Sequence, residues 1–139
     1  MDVPFRDDAD ICQFVEQFEQ CRWPYAQWTH RAHLAIAVYY LRRFPFSEAI
    51  ARLRQSIQRY NKACGDPDGY HETITILFMR AVDAHIQTRG GNPSMAQIVE
   101  QLAPVYTMQW PLNFYSGERL WSAEARRGWL DPDLKPLDF

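Results

Sequence analysis

Apolar residues recur every three or four positions along most of this chain, the spacing of helices that bury one face. No segment shows the strict apolar–polar alternation of a half-buried strand. The pattern therefore predicts an all-α protein. It predicts helices over residues 8–21, 29–43, 47–65, 70–89 and 94–102, and one or two short helices after them that include "SAEARRGWL" (122–130).

Residues that favour helix ends bound these stretches. Asp7, Thr29, Ser47 and Ser94 are of the types that accept hydrogen bonds from the first turn of a helix. Gly65 is of the type that ends one. The final residues, "DPDLKPLDF", hold turn-forming residues and two prolines, which predicts an extended C-terminal tail.

The second and fourth helices are apolar nearly all round, because residues 34–41 and 74–79 contain no charge. A helix of that kind is buried, so both are expected at the centre of the molecule. A chain of 139 residues is long enough for one hydrophobic core. We predict a single domain over residues 1–139, with an up-and-down four-helix bundle core, additional short helices and the extended tail.

Short connections favour antiparallel neighbours in such a bundle, so the second and fourth helices are expected to run in the same direction. Their N-terminal ends then meet at one end of the bundle. His30 and His33 begin the second helix and His71 begins the fourth, so these three histidines are expected to converge. His85 lies fourteen residues beyond His71, about 21 Å along the helix, and is expected to be structural or exposed.

Three imidazoles at one place suggest a metal ion. His30 and His33 are three residues apart and project to one side of a helix, and His71 would supply a third nitrogen. The cofactor would be a divalent transition metal such as Zn, Fe, Mn or Ni. Glu72, next to His71, is the candidate general base or fourth ligand. Partners such as a carboxylate and a carbonyl would satisfy the same histidines without metal.

Aromatic residues frame the same end. Trp28 and Tyr70 lie in the two loops before these helices and are predicted to line a substrate pocket, the alternative being that they only cover the core. Arg80, inside the buried fourth helix, is expected to pair with Asp83 or to reach toward a ligand in that pocket. The two helix N-termini would favour an anionic group on the substrate.

Composition narrows the class of partner. The net charge is −2 and no run of like charges occurs, so nucleic-acid binding is not expected. No apolar stretch is long enough for a bilayer and no signal-peptide core is present, so we expect no membrane partner and a cytoplasmic location. The expected partner is a small molecule. The aromatic-rich tail would pack on the bundle or form a homodimer surface.

Two functional hypotheses follow. The first is a small metal-dependent enzyme, of hydrolase or lyase type, with a pocket of His30, His33 and His71. The second is a non-catalytic helical module that binds a small molecule or a partner without metal. A third alternative is an interaction protein whose histidines are only core residues.

The stretches "WTHRAHL" (28–34) and "GYHETIT" (69–75) resemble the paired motifs of a family of small, uncharacterised bacterial helical proteins. The resemblance covers residues 28–76 and, more loosely, the segment "EARRGWLDPDLKPL" (124–137). It implies an all-helical bacterial protein. It implies no reaction, because no established activity accompanies that family.

Overall fold

A computed structural model describes residues 4–139, and every regular element in that range is helical. The prediction of an all-α fold is confirmed. Two short 3-10 turns, Tyr25–Gln27 and Trp110–Asn113, accompany the α-helices. The α-helices are α1 (Asp8–Glu19), α2 (His30–Arg43), α3 (Phe46–Ala63), α4 (Glu72–Thr88), α5 (Met95–Leu102), α6 (Gly117–Leu120) and α7 (Ala123–Arg127).

Three of the predicted N-caps are confirmed. The Asp7 side chain accepts a hydrogen bond from the Asp10 amide, and the Thr29 hydroxyl oxygen accepts one from the Ala32 amide. Ser94 forms a reciprocal capping box with Gln97 at the start of α5. These contacts satisfy amides that the first turn of a helix leaves without an intrahelical partner.

The start of two other helices differs from prediction. α3 begins at Phe46, because Pro45 already adopts the extended N-cap conformation and its carbonyl accepts the Ala49 amide at 2.8 Å. The predicted Ser47 cap is therefore wrong. α4 begins at Glu72, because His71 is its N-cap and Tyr70 lies in the preceding loop.

Helix α2 lies at the centre of the molecule, as predicted, and packs against α1, α3, α4 and α5. Half of its residues are buried. α4 packs against α2 and α3 on one side and against α7 on the other. The packing among α1, α2, α3 and α4 is what a four-helix bundle requires, and the up-and-down topology stays a prediction. None of the helices in residues 4–139 has the length and apolar character needed to cross a membrane.

The C-terminal segment packs against α4. Leu77 of α4 forms a second small core with Phe114, Tyr115 and Leu120. The Thr73 hydroxyl of α4 donates to the backbone oxygen of Gly128 at 2.6 Å. Residues 128–139 contain no helix, and the chain bends at residues 133–135 of the predicted tail. This packing brings α6 and α7 to the N-terminal end of α4, beside the pocket described next.

Candidate ligand pocket

A pocket of about 460 Å³ lies between the N-terminal ends of α2 and α4. This volume is in the range of pockets that hold small organic molecules, roughly 300–1,000 Å³. Aromatic and sulfur-containing side chains form much of its wall. They are Tyr25, Trp28, Tyr70, Phe78, Met79, Met108 and Trp121.

Three histidines from the two helix starts line this pocket. His30 and His33 reach it from the first turn of α2, and His71 reaches it from the cap of α4. His85 is not among the lining residues, and its Nε2 lies 3.1 Å from the side-chain oxygen of Gln101. What each imidazole can do depends on its own hydrogen bonds.

Both ring nitrogens of His71 are engaged by the protein. Nδ1 accepts a hydrogen bond from the Ile74 amide at 3.2 Å, so the proton resides on Nε2. Nε2 donates it to the backbone oxygen of Leu120 at 2.6 Å. Burial, which leaves only 8% of the residue exposed, lowers the pKa of His71. A neutral ring with both nitrogens bonded has no lone pair left for a metal ion.

One ring nitrogen of His30 is also hydrogen-bonded within the protein. Its Nε2 hydrogen-bonds the backbone oxygen of Tyr106, in the loop after α5. Because a carbonyl only accepts, Nε2 carries the proton in this contact. The ring meets Phe78 edge-on, with centroids 5.5 Å apart. His30 therefore joins the loop after α5 to the pocket wall.

His33 differs from the other two. Its Nδ1 donates to the Thr29 carbonyl at 2.7 Å, and its ring stacks on Trp28 with centroids 3.7 Å apart. No hydrogen bond reaches Nε2 from any residue in the described range 4–139. Nε2 of the neutral ring is therefore a free hydrogen-bond acceptor at the pocket wall.

The charge state of His33 follows from its surroundings. The residue is exposed by surface area, but the exposed face borders the pocket, and Trp28 covers one face of the ring. Protein surrounds the ring more than bulk water does, and this desolvation lowers the pKa of His33 to about 4. His33 is therefore neutral near pH 7.

The structure does not favour the predicted metal centre. Among residues 4–139, no group of three or more His, Cys, Asp or Glu side chains is arranged to hold a metal ion. His71 does not fit as a ligand, because both of its nitrogens are bonded within the protein. The metal centre stays a prediction.

Glu72 does not have the position predicted for a general base. It is not among the pocket-lining residues, and its carboxylate forms a salt bridge with Arg54 at 2.7 Å. The hydroxyl of Tyr70 also donates to it. Burial acts to raise the pKa of Glu72, but the hydrogen bonds from Arg54 and Tyr70 outweigh it and hold the pKa below its usual value. Glu72 is a structural anion between α3 and α4.

Arg80 also lies elsewhere than predicted. It is exposed, borders a shallow groove under the C-terminal tail, and its guanidinium lies 5.3 Å from the centre of the Trp129 ring. At about 100° per residue, the nine residues from His71 place Arg80 on the opposite side of α4. Trp28 and Tyr70, the other predicted wall residues, do line the pocket.

Sequence reasoning missed Asn61, which forms a polar corner of the pocket together with Asp66. Asn61, in the last turn of α3, is only 4% exposed, and its Oδ1 has no hydrogen-bond partner within residues 4–139. Asp66 accepts a hydrogen bond from the Tyr25 hydroxyl at 3.0 Å. The only signal in the sequence was that the third helix ends on the same side of the molecule as the histidines.

Gly69 makes this corner compact. A Cβ at position 69 would lie 2.3 Å from Oδ2 of Asp66 and 3.2 Å from Nδ2 of Asn61. The first distance is a clash with a side chain that Tyr25 holds in place. Glycine thus lets the backbone of the loop before α4 approach both polar groups closely.

Comparison of the chain with protein-family models, with curated proteins and with solved structures gives no match. The resemblance of the two histidine motifs to a bacterial helical family therefore stays a prediction. The functional argument rests on the pocket itself.

Proposed function

We propose that this protein is a non-catalytic module that binds a small, planar, largely apolar organic molecule in the pocket between α2 and α4. The observation that carries the proposal is the His33–Trp28 stack, with a free acceptor nitrogen, in the wall of a pocket of about 460 Å³. Wide aromatic faces supply apolar contact area, and a few polar groups fix the orientation of the ligand.

The same residues give catalysis less support than binding. His33 is a weak base, since its pKa is lowered to about 4, and a general base works best with a pKa near the working pH. Glu72 is paired with Arg54. One observation supports the metal-dependent hydrolase or lyase hypothesis: His30, His33 and His71 line the same pocket. The hydrogen bonds of His71 oppose it, because they leave neither ring nitrogen free to bind a metal ion.

A pocket-filling variant tests the proposal without removing a wall residue. Ala37 of α2 is buried and lines the pocket, so Ala37→Leu projects a larger side chain into it. Ala51→Leu on the exposed face of α3 is the matched control, because it makes the same change at a helical position that does not line the pocket. Binding of bicyclic aromatic fragments such as indole and quinoline is followed by amide chemical-shift changes.

We expect fragments to shift resonances of pocket residues in the wild type and in Ala51→Leu, and to lose that effect in Ala37→Leu. If no fragment of an aromatic library shifts those resonances in the wild type, the proposal is rejected. It is also rejected if Ala37→Leu binds the fragments as tightly as the wild type does.

A further inference from the structure

We infer that residues 110–139, called the C-terminal unit below, form a hinged wall of the pocket. The unit undocks from α4 as a whole while the helical bundle stays folded, and a bound ligand holds it in the docked position. The role of the ligand rests on the proposed binding function, to which this inference adds a control of access to the pocket. The core of the unit, its hydrogen bonds and its position beside the pocket support it.

The C-terminal unit has a small hydrophobic core of its own. Its buried members and the partly buried side chains that pack on them are Leu77, Phe114, Tyr115, Leu120, Ile74, Trp110, Trp129 and Leu137. Only Ile74 and Leu77 lie outside the unit, and both belong to α4. The main core is a separate cluster of residues from α1 to α5. The small core can therefore open while the main core stays intact.

Hydrogen bonds also close the unit on itself. The amide and the hydroxyl of Ser116 donate to the Asp133 carboxylate at 2.8 and 2.6 Å. The Leu134 amide donates to the backbone oxygen of Phe114 at 2.9 Å. These bonds tie the C-terminal tail to the segment that precedes α6, so the tail and the short helices form one unit.

The hydrogen bonds that attach the unit to the bundle all lie in one place. From the unit to residues 4–106 of the described chain, they reach only residues 68–73, the loop before α4 and its first turn. No ion pair in the same described range joins the unit to the bundle. The bonded residues are Leu120 with His71, Gly128 and Leu130 with Thr73, and Arg126 with Asp68.

Residues 107–109 form the hinge. Just before them, the backbone oxygen of Tyr106 accepts the hydrogen bond from His30, and Tyr106 packs against the main core. Just after them, Trp110 packs in the small core. The ring of Trp110 also contacts the ring of Phe78 of α4, with centroids 5.4 Å apart, and undocking has to break this contact. The chain is thus held by a different core on each side of the hinge.

The pocket lies where the unit meets the bundle. Trp121 and Arg126 of the unit line it, together with Tyr70 and His71 of the bundle. The rings of Trp121 and His71 meet edge-on with centroids 6.0 Å apart. Undocking removes Trp121 and Arg126 from the wall and opens a way in. A ligand that contacts them binds only the docked form, and it stabilises that form by mass action.

Native-state hydrogen exchange of the full chain tests this inference. A unit of about thirty residues is too small to stay folded alone, so undocking exposes its amides to exchange. The amides of Leu120, Gly128 and Leu134, which are hydrogen-bonded within the unit, are the reporters. We expect them to share one opening free energy. Their protection factors should be at least about tenfold lower than the largest protection factors in α2.

Thr73→Val weakens the docking without changing the pocket wall. Thr73 is fully buried and does not line the pocket, and its hydroxyl donates to Gly128 at 2.6 Å and accepts the Leu130 amide at 3.2 Å. Valine keeps the shape and removes both bonds, so the protection factors in the unit should fall about tenfold. Thr88→Val is the matched control and should leave them unchanged, because the Thr88 hydroxyl bonds Ala84 within α4.

Ile36→Val distinguishes undocking from global unfolding. Ile36 of α2 is fully buried in the main core and does not line the pocket. The change destabilises the bundle, so protection factors in α2 should fall about fivefold. Those in the unit should not change, because the bundle stays folded when the unit undocks. Indole at about ten times its Kd should raise the protection factors in the unit about tenfold.

The outcomes separate this inference from the binding function. If Ile36→Val lowers the protection factors of the unit and of α2 by the same factor, the unit opens only when the whole chain unfolds and the inference is overturned. Indole bound in the pocket without added protection in the unit overturns the role of the ligand. If no aromatic fragment binds, the binding function and the role of the ligand both fail. The exchange of the ligand-free variants then still decides whether the unit undocks by itself.

Discussion

The imidazole of His71 donates a hydrogen bond to the backbone oxygen of Leu120 at 2.6 Å, across 49 positions of the chain, while its other nitrogen caps α4. One side chain thus ends the loop before α4 and joins that helix to the C-terminal segment. A residue that the sequence suggested as a metal ligand has a structural role in the fold. Its replacement should therefore be visible in stability.

We expect His71→Ala to lower the free energy of unfolding by about 2–3 kcal/mol. Loss of an N-cap costs about 1 kcal/mol, and a buried carbonyl left without its donor costs about 1–2 kcal/mol more. Urea denaturation measures this loss. His85→Ala, in the same helix and away from the tail, should cost less than His71→Ala. Equal losses in the two variants would show that the contact with Leu120 contributes nothing.

The stability of the protein should fall as the pH decreases from about 6.5 toward 4. His33 and His71 have pKa values lowered in the folded state, so the unfolded chain binds more protons in that interval. Protonation then favours unfolding, and the stability that the neutral rings contribute is fully present only above the unfolded pKa, about 6.5. Urea midpoints measured between about pH 4.5 and pH 7.5 test this. That interval covers most of the range between the lowered pKa of His33, about 4, and the pKa of a histidine in the unfolded chain, about 6.5.

His71→Asn keeps a capping side chain that does not titrate in this interval. Its stability should depend less on pH than that of the wild type. A wild-type curve that is flat between about pH 6.5 and pH 5 would contradict the lowered pKa values.

Asn61→Leu should stabilise the protein by about 1 kcal/mol, because it replaces a buried amide without a partner by an apolar side chain of similar size. In a chain of this size that corresponds to a rise in Tm of about 4 °C. Affinity for indole, whose N–H can donate to the Asn61 oxygen, should fall in the same variant. A gain in stability with a loss of binding is typical of a polar group kept for a ligand.

Asn61→Asp is the companion variant, and it should lose stability because it buries a charge. If Asn61→Leu is less stable than the wild type, the amide is bonded in the folded protein and its assignment to the pocket is wrong.

Zinc titration decides the metal hypothesis directly. We expect calorimetry to show the same weak response to Zn²⁺ in the tag-free wild type and in His71→Asn, because His71 has no free nitrogen. One tight equivalent in the wild type that is lost in His71→Asn would instead support the three-histidine metal site. Elemental analysis of the purified protein provides the independent check.

Much of this fold is local and was therefore predictable. Helix spans follow from apolar spacing within a few residues, and caps such as Thr29 and Ser94 bond amides three positions away. The predicted N-cap was wrong where two nearby residues could each start the same helix. Pro45 rather than Ser47 starts α3, because its fixed backbone angle already suits an N-cap.

The sequence by itself determined the long helices, the caps Asp7, Thr29 and Ser94, and the placement of three histidines at the starts of α2 and α4. Only the tertiary structure decided what those histidines bond. The backbone oxygens of Tyr106 and Leu120 are far away in the chain, and no side-chain pattern marks a carbonyl as a partner. Tertiary packing also set the rotation of each helix, which turned Arg80 away from the pocket and Asn61 toward it.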